Sequence, residues 1–419
     1  MSEVMAQPKV PKLRFPEFAD TGRESIIQRH KFDDIFAFST GKNIKQAEAS
    51  PEFETPCVRY GELYHIYGEV IREVVNKTNV PREDLHFSSG DEILIPSAGE
   101  DPMDIGAASA LMSPGVAIGR TINILRPQTQ GVYSVGFAAY YINSVLRRKI
   151  STLARGSSIS NVYNSDLKTL HLNAPSLPEQ EKIAKLFGTV DQRIRFLESK
   201  RESLAIFKKG VLQRLFSREL RFMRDDGSPF PDWQEKRLSE VLDERGERST
   251  GAERVHSVSV HKGVIDQIEH LGRSFAAAST DHYGLVKAGD VVYTKSPTGD
   301  FPFGIVKQNR LAENVIVSPL YGIFTPETYA LGYILNDHFL SVQNIHNYLH
   351  QLVQKGAKNT INITNAGFLE GRLTLPIDPQ EQKKIAEFLY KLDTKIDAVA
   401  SQVNAMRCFK KGLLQQMFV

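Results

Sequence analysis

The chain has 419 residues, of which 41% are hydrophobic and 24% are charged, a composition typical of globular domains and not of disordered or collagen-like chains. Its 52 Lys and Arg residues barely exceed its 49 Asp and Glu residues, so the net charge is only +3. This excludes a histone-like, strongly basic protein, but it is compatible with a nucleic-acid partner where the positive charge is clustered.

The two cysteines, Cys57 and Cys408, are far apart in the sequence. They form neither a metal-ligand spacing nor a disulfide framework, which favours a reducing, cytoplasmic environment. The chain contains no run of 18 apolar residues and no apolar segment near Met1. We therefore expect no transmembrane helix and no secretory signal.

The first part of the chain predicts a mixed α/β domain. Short apolar or alternating runs bounded by Gly and Pro are typical of strands, and they occur at Thr55–Tyr60, Glu92–Pro96, Val116–Ile118, Thr121–Leu125 and Leu170–Leu172. A helix is predicted over Gly136–Ala154.

A long helix follows, with Pro178 near its start, where proline is tolerated. Its apolar positions are separated alternately by four and three residues, which is the spacing of a coiled-coil seam. The seam positions are Ile183, Phe187, Val190, Ile194, Leu197, Arg201, Leu204, Lys208, Val211 and Leu215.

The second part of the chain repeats this plan. Strands are predicted at Val255–Val260, Asp290–Thr294, Ile305–Lys307 and Tyr321–Phe324, and a helix is predicted over Ala330–Val353. Gly90-Asp91 and Gly289-Asp290 precede equivalent strands in the two halves.

A second long helix, with Pro379 near its start, aligns with the first without a gap. Glu381–Phe418 matches Glu179–Phe216, and the string FKKG occurs in both. The seam spacing recurs at Ile385, Leu389, Leu392, Ile396, Val399, Val403, Met406, Lys410, Leu413 and Met417. Lys208 and Lys410 are poor residues for a dry seam, so they either extend to solvent or mark where the coil meets something else.

Each helix has a single apolar stripe and needs a partner; the partner is its own repeat, or alternatively its own domain or another protein. We predict a mixed α/β (α+β) fold in which two similar domains are separated and followed by helices that form an antiparallel coiled coil, with a pseudo-two-fold relation. The predicted boundaries are 1–177 for the N-terminal segment and first domain, 178–220 for the central helix, 221–377 for the second domain and 378–419 for the C-terminal helix.

Polar loops at matching places in both halves are candidates for nucleic-acid binding, because small hydroxyl and amide side chains can bind phosphates or base edges. An ordinary solvated turn is the alternative for each loop taken alone. The candidates in the first domain are Arg59, Tyr60, Ser97, Gly99, Ser157, Ser158 and Asn161. Those in the second domain are Lys295, Ser296, Thr298, Lys358, Asn359 and Thr360.

Catalysis is poorly supported by the sequence. It contains no Gly-x-Gly-x-x-Gly, Walker A or His-Glu-x-x-His pattern. His346 and His350 lie four residues apart on a predicted helix, but without the metalloprotease glutamate, so they are interpreted as packing or surface residues. We expect no catalytic residue, metal site or cofactor site in this chain.

The sequence resembles the specificity subunit of Type I restriction-modification systems (HsdS) over essentially its whole length. The resemblance is carried by PKLRFPEF near the start, VRYGELY (Val58–Tyr64) and GDEILIPSAGE (Gly90–Glu100), and by the repeated helix starts and ends, SLPEQEKIAKLF with FKKGVLQRLF and PQEQKKIAEFL with FKKGLLQQMF. The second domain has no good counterpart of VRYGELY.

The resemblance implies two target-recognition domains that read the two halves of a bipartite asymmetric DNA site, with spacer helices between them. It implies a non-catalytic subunit that binds double-stranded DNA, two methyltransferase (HsdM) subunits and, for restriction, HsdR subunits. S-adenosylmethionine, ATP and Mg²⁺ are then expected on the partner subunits.

Three alternatives stay open on the sequence alone. A stand-alone DNA-binding regulator would bind DNA without partners and would carry more clustered positive charge. A methyltransferase in its own right would need a cofactor loop, which is missing. A coiled-coil protein scaffold would leave no footprint on DNA.

Overall fold

The computed structural model describes residues 10–19, 27–129, 131–156, 158–274, 276, 279–355 and 361–418. The chain divides into two compact units, one formed by Met1–Glu198 with Ser401–Val419 and the other by Ser199–Ala400. Both divisions fall inside a long helix, so each unit contains part of each long helix. The division predicted from the sequence, at 177, 220 and 377, stays a prediction.

The first unit is built from short strands and helices followed by the start of a long helix. Its strands are β1 Gln28–Lys31, β2 Phe36–Thr40, β3 Ala49–Ser50, β4 Thr55–Val58, β5 Val70–Ile71, β6 Asn76–Thr78, β7 Glu92–Pro96, β8 Ala98–Gly99, β9 Ser109–Leu111, β10 Ala117–Ile118, β11 Ile122–Pro127, β12 Ser160–Asn161 and β13 His171–Ala174. Its helices are α1 Pro16–Ala19, α2 Phe32–Ile35, α3 Tyr60–His65, α4 Pro102–Ile105, α5 Val135–Tyr141, α6 Arg147–Leu153 and α7 Asn164–Leu167. The long helix α8 Leu177–Phe216 begins in this unit and ends in the second.

The second unit has the same general plan. Its strands are β14 Gln234–Arg237, β15 Leu242–Glu244, β16 His256–Ser259, β17 Gly263–Asp266, β18 Gly284–Val286, β19 Val291–Tyr293, β20 Val306–Gln308, β21 Val315–Val317, β22 Gly322–Pro326, β23 Gln354–Lys355, β24 Ile361–Asn362 and β25 Arg372–Leu375. Its helices are α9 Gln267–Leu271, α10 Tyr329–His338, α11 Val342–His350 and α12 Asn365–Glu370. The long helix α13 Pro379–Met417 begins in this unit and ends in the first.

Two sheets of the first unit position its candidate site. A five-stranded sheet has the order β2-β11-β7-β9-β5, and a four-stranded sheet has the order β10-β4-β6-β3. Strand β7 is buried along its whole length, as the apolar run from Ile93 to Pro96 predicts. In the second unit the corresponding sheet has the order β15-β22-β19-β20, and β1–β13 and β14–β25 are equivalent antiparallel pairs in the two units.

The predicted antiparallel pairing of the long helices is confirmed within each unit. In the first unit, Phe187 of α8 stacks on Phe418, which follows α13, with ring centroids 5.7 Å apart, and Glu198 binds Arg407 at 2.5 Å. Residue numbers therefore increase along α8 in the direction in which they decrease along α13, so the two helices are antiparallel. In the second unit, Leu215 packs in one cluster with Ile385 and Leu389. The pseudo-two-fold relation between the units stays a prediction.

Most seam positions are buried, but two kinds of position depart from an apolar seam. Arg201 is exposed. Lys208 is 7% exposed and binds Asp337 and Asp393, and Lys410 binds Glu69 and Asp191. Extension of these lysines to solvent is therefore wrong, and the alternative, contact with another part of the molecule, is confirmed.

Two predicted elements differ from the structure. Thr55–Tyr60 is a strand only to Val58, because α3 begins at Tyr60 with the side chain of Glu62 accepting the backbone N–H of Arg59. The helix predicted over 330–353 is two helices, because the Ser341 side chain caps a new helix by accepting the N–H of Asn344. The helix predicted over 136–154 is present as α5, a π-helical turn at Ile142–Leu146, and α6.

Within the residues that the structure describes, no helix is both long and apolar enough to cross a membrane.

Candidate nucleic-acid interface

Arg59 and Tyr60 lie where β4 passes into α3. The carboxylate of Glu62, which is buried, accepts hydrogen bonds from the backbone N–H and Nε of Arg59, at 3.1 and 2.7 Å, and from Nδ2 of Asn76 at 2.9 Å. This holds the Arg59 side chain in place and satisfies the first turn of the helix. Tyr60 is 39% exposed, so it is accessible to a ligand.

A groove of about 480 Å³ opens beside this helix start. Its lining carries the cations Lys45, Arg59 and Arg120 together with His65 and Tyr60, while its one acid is Glu62, which is already bound to Arg59. Lys45 and Arg120 are exposed. The groove therefore combines clustered positive charge with an aromatic ring, the pair of features that bind phosphate and stack on bases.

The two loops that present Lys45 and Arg120 are bound to each other through backbone hydrogen bonds. Lys42 N–H donates to Ile118 O at 3.0 Å, and Arg120 N–H donates to Asn43 O at 2.9 Å. A Cβ on Gly41 would lie 2.0 Å from the Gly119 carbonyl oxygen, so this close approach requires glycine. The backbone contacts between these loops thus pre-form the wall of the groove.

Both wall loops contain residues with positive φ. Asn43 has φ 49°, Ile44 has φ 54° and Thr121 has φ 67°. For the β-branched residues this conformation costs free energy. Such strain is characteristic of binding sites, where the fold holds the backbone in a shape that the ligand requires.

The structure brings the predicted residues Ser97 and Asn161 together, although they are distant in sequence. Strand β8 pairs antiparallel with β12, which places Asn161 opposite Ala98 and Ser160 opposite Gly99. Ser97 N–H donates to Thr121 O at 2.9 Å, and Ser97 O accepts from Val162 N–H at 3.0 Å. The Ser97 loop is therefore joined to the Arg120 loop of the groove.

The remaining candidates of the first unit differ in access. Gly99 is buried, and a Cβ there would lie 3.3 Å from Ile105, so its backbone shapes the loop. Ser158 is exposed, and Ser157 lies outside the described residues. Contact with DNA stays a prediction for every one of these residues.

Several exposed residues near the predicted ones escaped the sequence reasoning. Ile159 is 56% exposed and Tyr163 is 55% exposed, on either side of Asn161. Lys45 and Arg120 were missed as well, because an isolated basic residue in a loop has no pattern of its own. The signal that could have found Tyr163 is an aromatic residue between two asparagines, Asn161 and Asn164, in a polar loop.

The second unit presents a different surface at its corresponding loop. Lys295 lies two residues beyond the end of β19 and is in the left-handed region, with φ 58°. Burial lowers its pKa, while Glu244 opposes that shift. Thr298 and Phe301 exchange backbone hydrogen bonds at 3.0 Å, and Thr298 Oγ1 donates to Ser296 O at 3.2 Å. Ser296 is exposed and lies two residues before this turn.

The loop is fixed at its far end by aromatic packing. The ring of Phe303 lies 5.4 Å from that of His346 and 6.3 Å from that of His350. His346 is partly buried and His350 is exposed, which agrees with their interpretation as packing or surface residues. Among the described residues no group of His, Cys, Asp and Glu is arranged to hold a metal.

Lys358, Asn359 and Thr360 lie outside the described residues. The strands on either side of them, β23 and β24, pair antiparallel, with Lys355 opposite Ile361. These three residues stay predictions as DNA contacts.

Comparison with known proteins shows what part of this chain is similar to. A family model described as the Type I restriction modification DNA specificity domain matches residues 27–205, which include the whole groove of the first unit. The specificity subunit of the Type I restriction enzyme EcoKI from Escherichia coli (strain K12) is 28% identical over 162 residues, 38% of this chain and 34% of that protein. That of StySPI from Salmonella potsdam is 25% identical over 192 residues, 45% of this chain and 41% of that protein. The alignments thus span less than half of these relatives.

The fold of the whole chain is shared with a solved structure. The crystal structure of the S subunit of a Type I restriction-modification system from M. genitalium matches with a TM-score of 0.62 and 16% identity, over 98% of this chain and 99% of that chain. At this identity the likeness shows the fold alone.

Proposed function

We propose that this chain, whose residues 27–205 match the family model of the Type I restriction modification DNA specificity domain, is the DNA sequence-specificity subunit of a Type I restriction-modification complex. The observation that carries the proposal is the groove of the first unit, where Lys45, Arg59, Arg120 and Tyr60 surround a space of about 480 Å³. Phosphate contacts from the cations would position the duplex, and side chains on the adjoining loops would read base edges.

The target we propose is bipartite and asymmetric. The two units share the bonds that hold domain and helices together, such as Arg14 with Glu179 and Arg221 with Glu381. They differ in the residues at the candidate surface: Ser97 in the first unit has its counterpart in a loop with Lys295 and Ser296 in the second. Shared scaffolds with different surfaces suit the reading of two different half-sites.

The partners we propose are double-stranded DNA, two methyltransferase (HsdM) subunits and, for restriction, HsdR subunits. In such a complex this chain is a recognition subunit without catalysis of its own, in the cytoplasm. S-adenosylmethionine, ATP and Mg²⁺ would then act on the partner subunits. These proposals rest on the family relation and on the resemblance of the helix motifs.

The test is modification-sensitive sequencing of DNA from cells that co-express this chain with its neighbouring methyltransferase subunit, compared with cells that lack the chain. We expect a new methyladenine motif with two defined halves around a fixed gap. Arg120→Ala should reduce methylation at that motif, whereas Lys200→Ala, at an exposed position of α8, should leave it unchanged. Absence of a motif despite copurification of the two proteins would favour a protein scaffold. Absence of both would favour a stand-alone regulator.

A further inference from the structure

Each unit contains a lysine that connects the two long helices to the domain. In the first unit, Nζ of Lys410 on α13 lies 2.7 Å from Oδ1 of Asp191 on α8 and 2.8 Å from both carboxylate oxygens of Glu69 in the domain. We call Lys410, Asp191 and Glu69 the first lysine clamp. One side chain thus binds three separate segments of the unit.

The second unit repeats the arrangement with the helices exchanged. Nζ of Lys208 on α8 lies 2.7 Å from Oδ1 of Asp393 on α13 and 2.6 Å from Oδ2 of Asp337 on α10 of the domain. Lys208, Asp393 and Asp337 form the second lysine clamp. Arg310 also binds both of these carboxylates, at 3.0 and 3.2 Å.

A tyrosine of the domain completes each clamp. The hydroxyl of Tyr140 donates to Asp191 at 2.6 Å, and that of Tyr333 donates to Asp393. Burial together with the nearby aspartate raises the pKa of Tyr140 and of Tyr333, so both hydroxyls keep their protons. Each helix aspartate is therefore bound from the other helix and from the domain.

Lys410 and Asp393 keep their charges at neutral pH. Burial opposes the charge of Lys410, but Glu69 and Asp191 outweigh it and raise the pKa of the ammonium group. Burial likewise opposes the charge of Asp393, and Lys208 with its other partners lowers the pKa of that carboxyl. Removal of one partner would leave buried charges without compensation.

An apolar residue at these seam positions would suit the helix pair better, since leucine packs in a seam without desolvating a charge. Apolar contacts, however, are non-directional, whereas each of these lysines lies 2.6–2.8 Å from two carboxylates on separate segments, which sets the distance between the helices and the domain. Both units contain this arrangement although the burial of its charges costs desolvation free energy. Its repetition indicates that it determines geometry, not only stability.

We propose that Lys410 and Lys208 are positioning residues that fix the orientation of each domain on the helices of its own unit, and thereby the gap length between the two half-sites. This inference rests on the proposed function. Loosening of a clamp should leave the bases of each half-site unchanged and relax the gap.

The first test measures orientation without DNA. In the full chain with Cys408→Ser, spin labels are attached at Glu83→Cys in the domain and Glu181→Cys on α8, both exposed positions, while Cys57 is buried and stays unlabelled. With Lys410 intact we expect a narrow distribution of distances between the two spin labels. Lys410→Met should make this distribution broad. Lys411→Met, at the adjacent exposed position, should keep the narrow distance, and Lys410→Arg should restore most of it.

The second test measures the gap by modification-sensitive sequencing. In Lys410→Met and Lys208→Met, methylation at sites whose gap differs by one base pair should rise about tenfold, the ratio that 1.4 kcal/mol produces. Lys209→Met and Lys411→Met are the matched controls. If Lys410→Met fails to fold, Glu69→Gln, which weakens the same clamp without removing the ammonium group, takes its place in both tests.

An unchanged narrow distance in both Lys410→Met and Glu69→Gln would overturn the proposal, and so would a broadened distance with an unchanged gap. A wild-type complex without a bipartite motif would refute the proposed function, while the distance measurement would still decide whether the clamps orient the domains.

Discussion

Each long helix begins with a buried glutamate that an arginine binds. Arg14 reaches Glu179 through Nε at 2.9 Å and through Nη2 at 2.5 Å, and both side chains are buried. Arg221 reaches Glu381 through Nε at 3.0 Å. Such a pair stabilises little relative to an apolar pair, but a single partner left alone is costly. Both arginines lie in the tripeptide Leu-Arg-Phe, at 13–15 and at 220–222, so this tripeptide identifies the residue that binds each preceding segment to its helix.

His338 should make the protein sensitive to acid. Its ring packs against Phe216 and Phe339, with centroids 4.4 and 5.1 Å apart, and burial lowers its pKa to about 4. Between pH 6.5 and 4 the unfolded chain binds a proton that the folded chain does not. The free energy of unfolding therefore decreases as the pH is lowered through this range. A shift of this size corresponds to about 3 kcal/mol, and partial access of solvent reduces it to about 2.

The measurement is urea unfolding between pH 7 and 4 for wild type and His338→Phe, because comparison with the variant removes the contribution of the carboxylates. Between pH 7 and 4 the free energy of unfolding of wild type should decrease by about 2 kcal/mol more than that of His338→Phe. The exposed His261 gives the control: His261→Phe should follow wild type. Parallel curves for wild type and His338→Phe would contradict the assignment.

At the scale of elements, the seam between the two long helices buries one residue and leaves its neighbour in the sequence exposed to solvent. Leu197 is 2% exposed, whereas Phe196 beside it is 57% exposed. A heptad pattern predicts this difference, because residues one position apart point about 100° apart around the helix. The seam was therefore readable from the sequence along both helices.

Leu197→Ala should lower the free energy of unfolding by about 2–5 kcal/mol, since it removes buried methyl groups and leaves a cavity. Phe196→Ala should change it by no more than about 0.5 kcal/mol, as for other surface substitutions. Urea unfolding compares the two variants. It is followed by circular dichroism at roughly 222 nm, where the signal of the long helices dominates. Equal effects of the two substitutions would refute the seam assignment at Leu197.

Other elements could not be predicted from local pattern. Strands such as β8 and β12 have two residues each, too few for an alternation to show, and their pairing brings Ser97 near Asn161 only through the tertiary fold. The partners of Lys208 and Lys410 were hidden for the same reason. Asp337 and Glu69 are remote in sequence, and no local spacing connects a seam lysine to them.

At the scale of the whole molecule, the units share a framework and differ at their surfaces. Glycines with positive φ precede the central strand in both, Gly90 at 98° and Gly289 at 90°. The carboxylate that binds the turn is Glu92 in one unit and Asp290 in the other, each paired with an arginine. The framework was therefore predictable from the repeat, whereas the site residues, which differ between the halves, were not.

The modest net charge of +3 predicts how the isolated full chain binds nonspecific duplex DNA. The groove of the first unit offers Lys45, Arg59 and Arg120, and Arg59 is already bound to Glu62. Each neutralised phosphate contributes about −0.9 to the slope of log K against log salt. We expect a slope of about −3 or shallower for the isolated chain, and a much steeper slope for the complex with methyltransferase subunits.

Fluorescence anisotropy over a range of salt concentrations measures this slope. Arg120→Ala should make it shallower by about 0.9, because one phosphate contact is lost, while Lys200→Ala should leave it unchanged. A steep slope from the isolated chain would mean that this chain supplies most of the phosphate attraction itself, as a stand-alone regulator would. A shallow slope that Arg120→Ala does not alter would place the phosphate contacts outside the groove of the first unit.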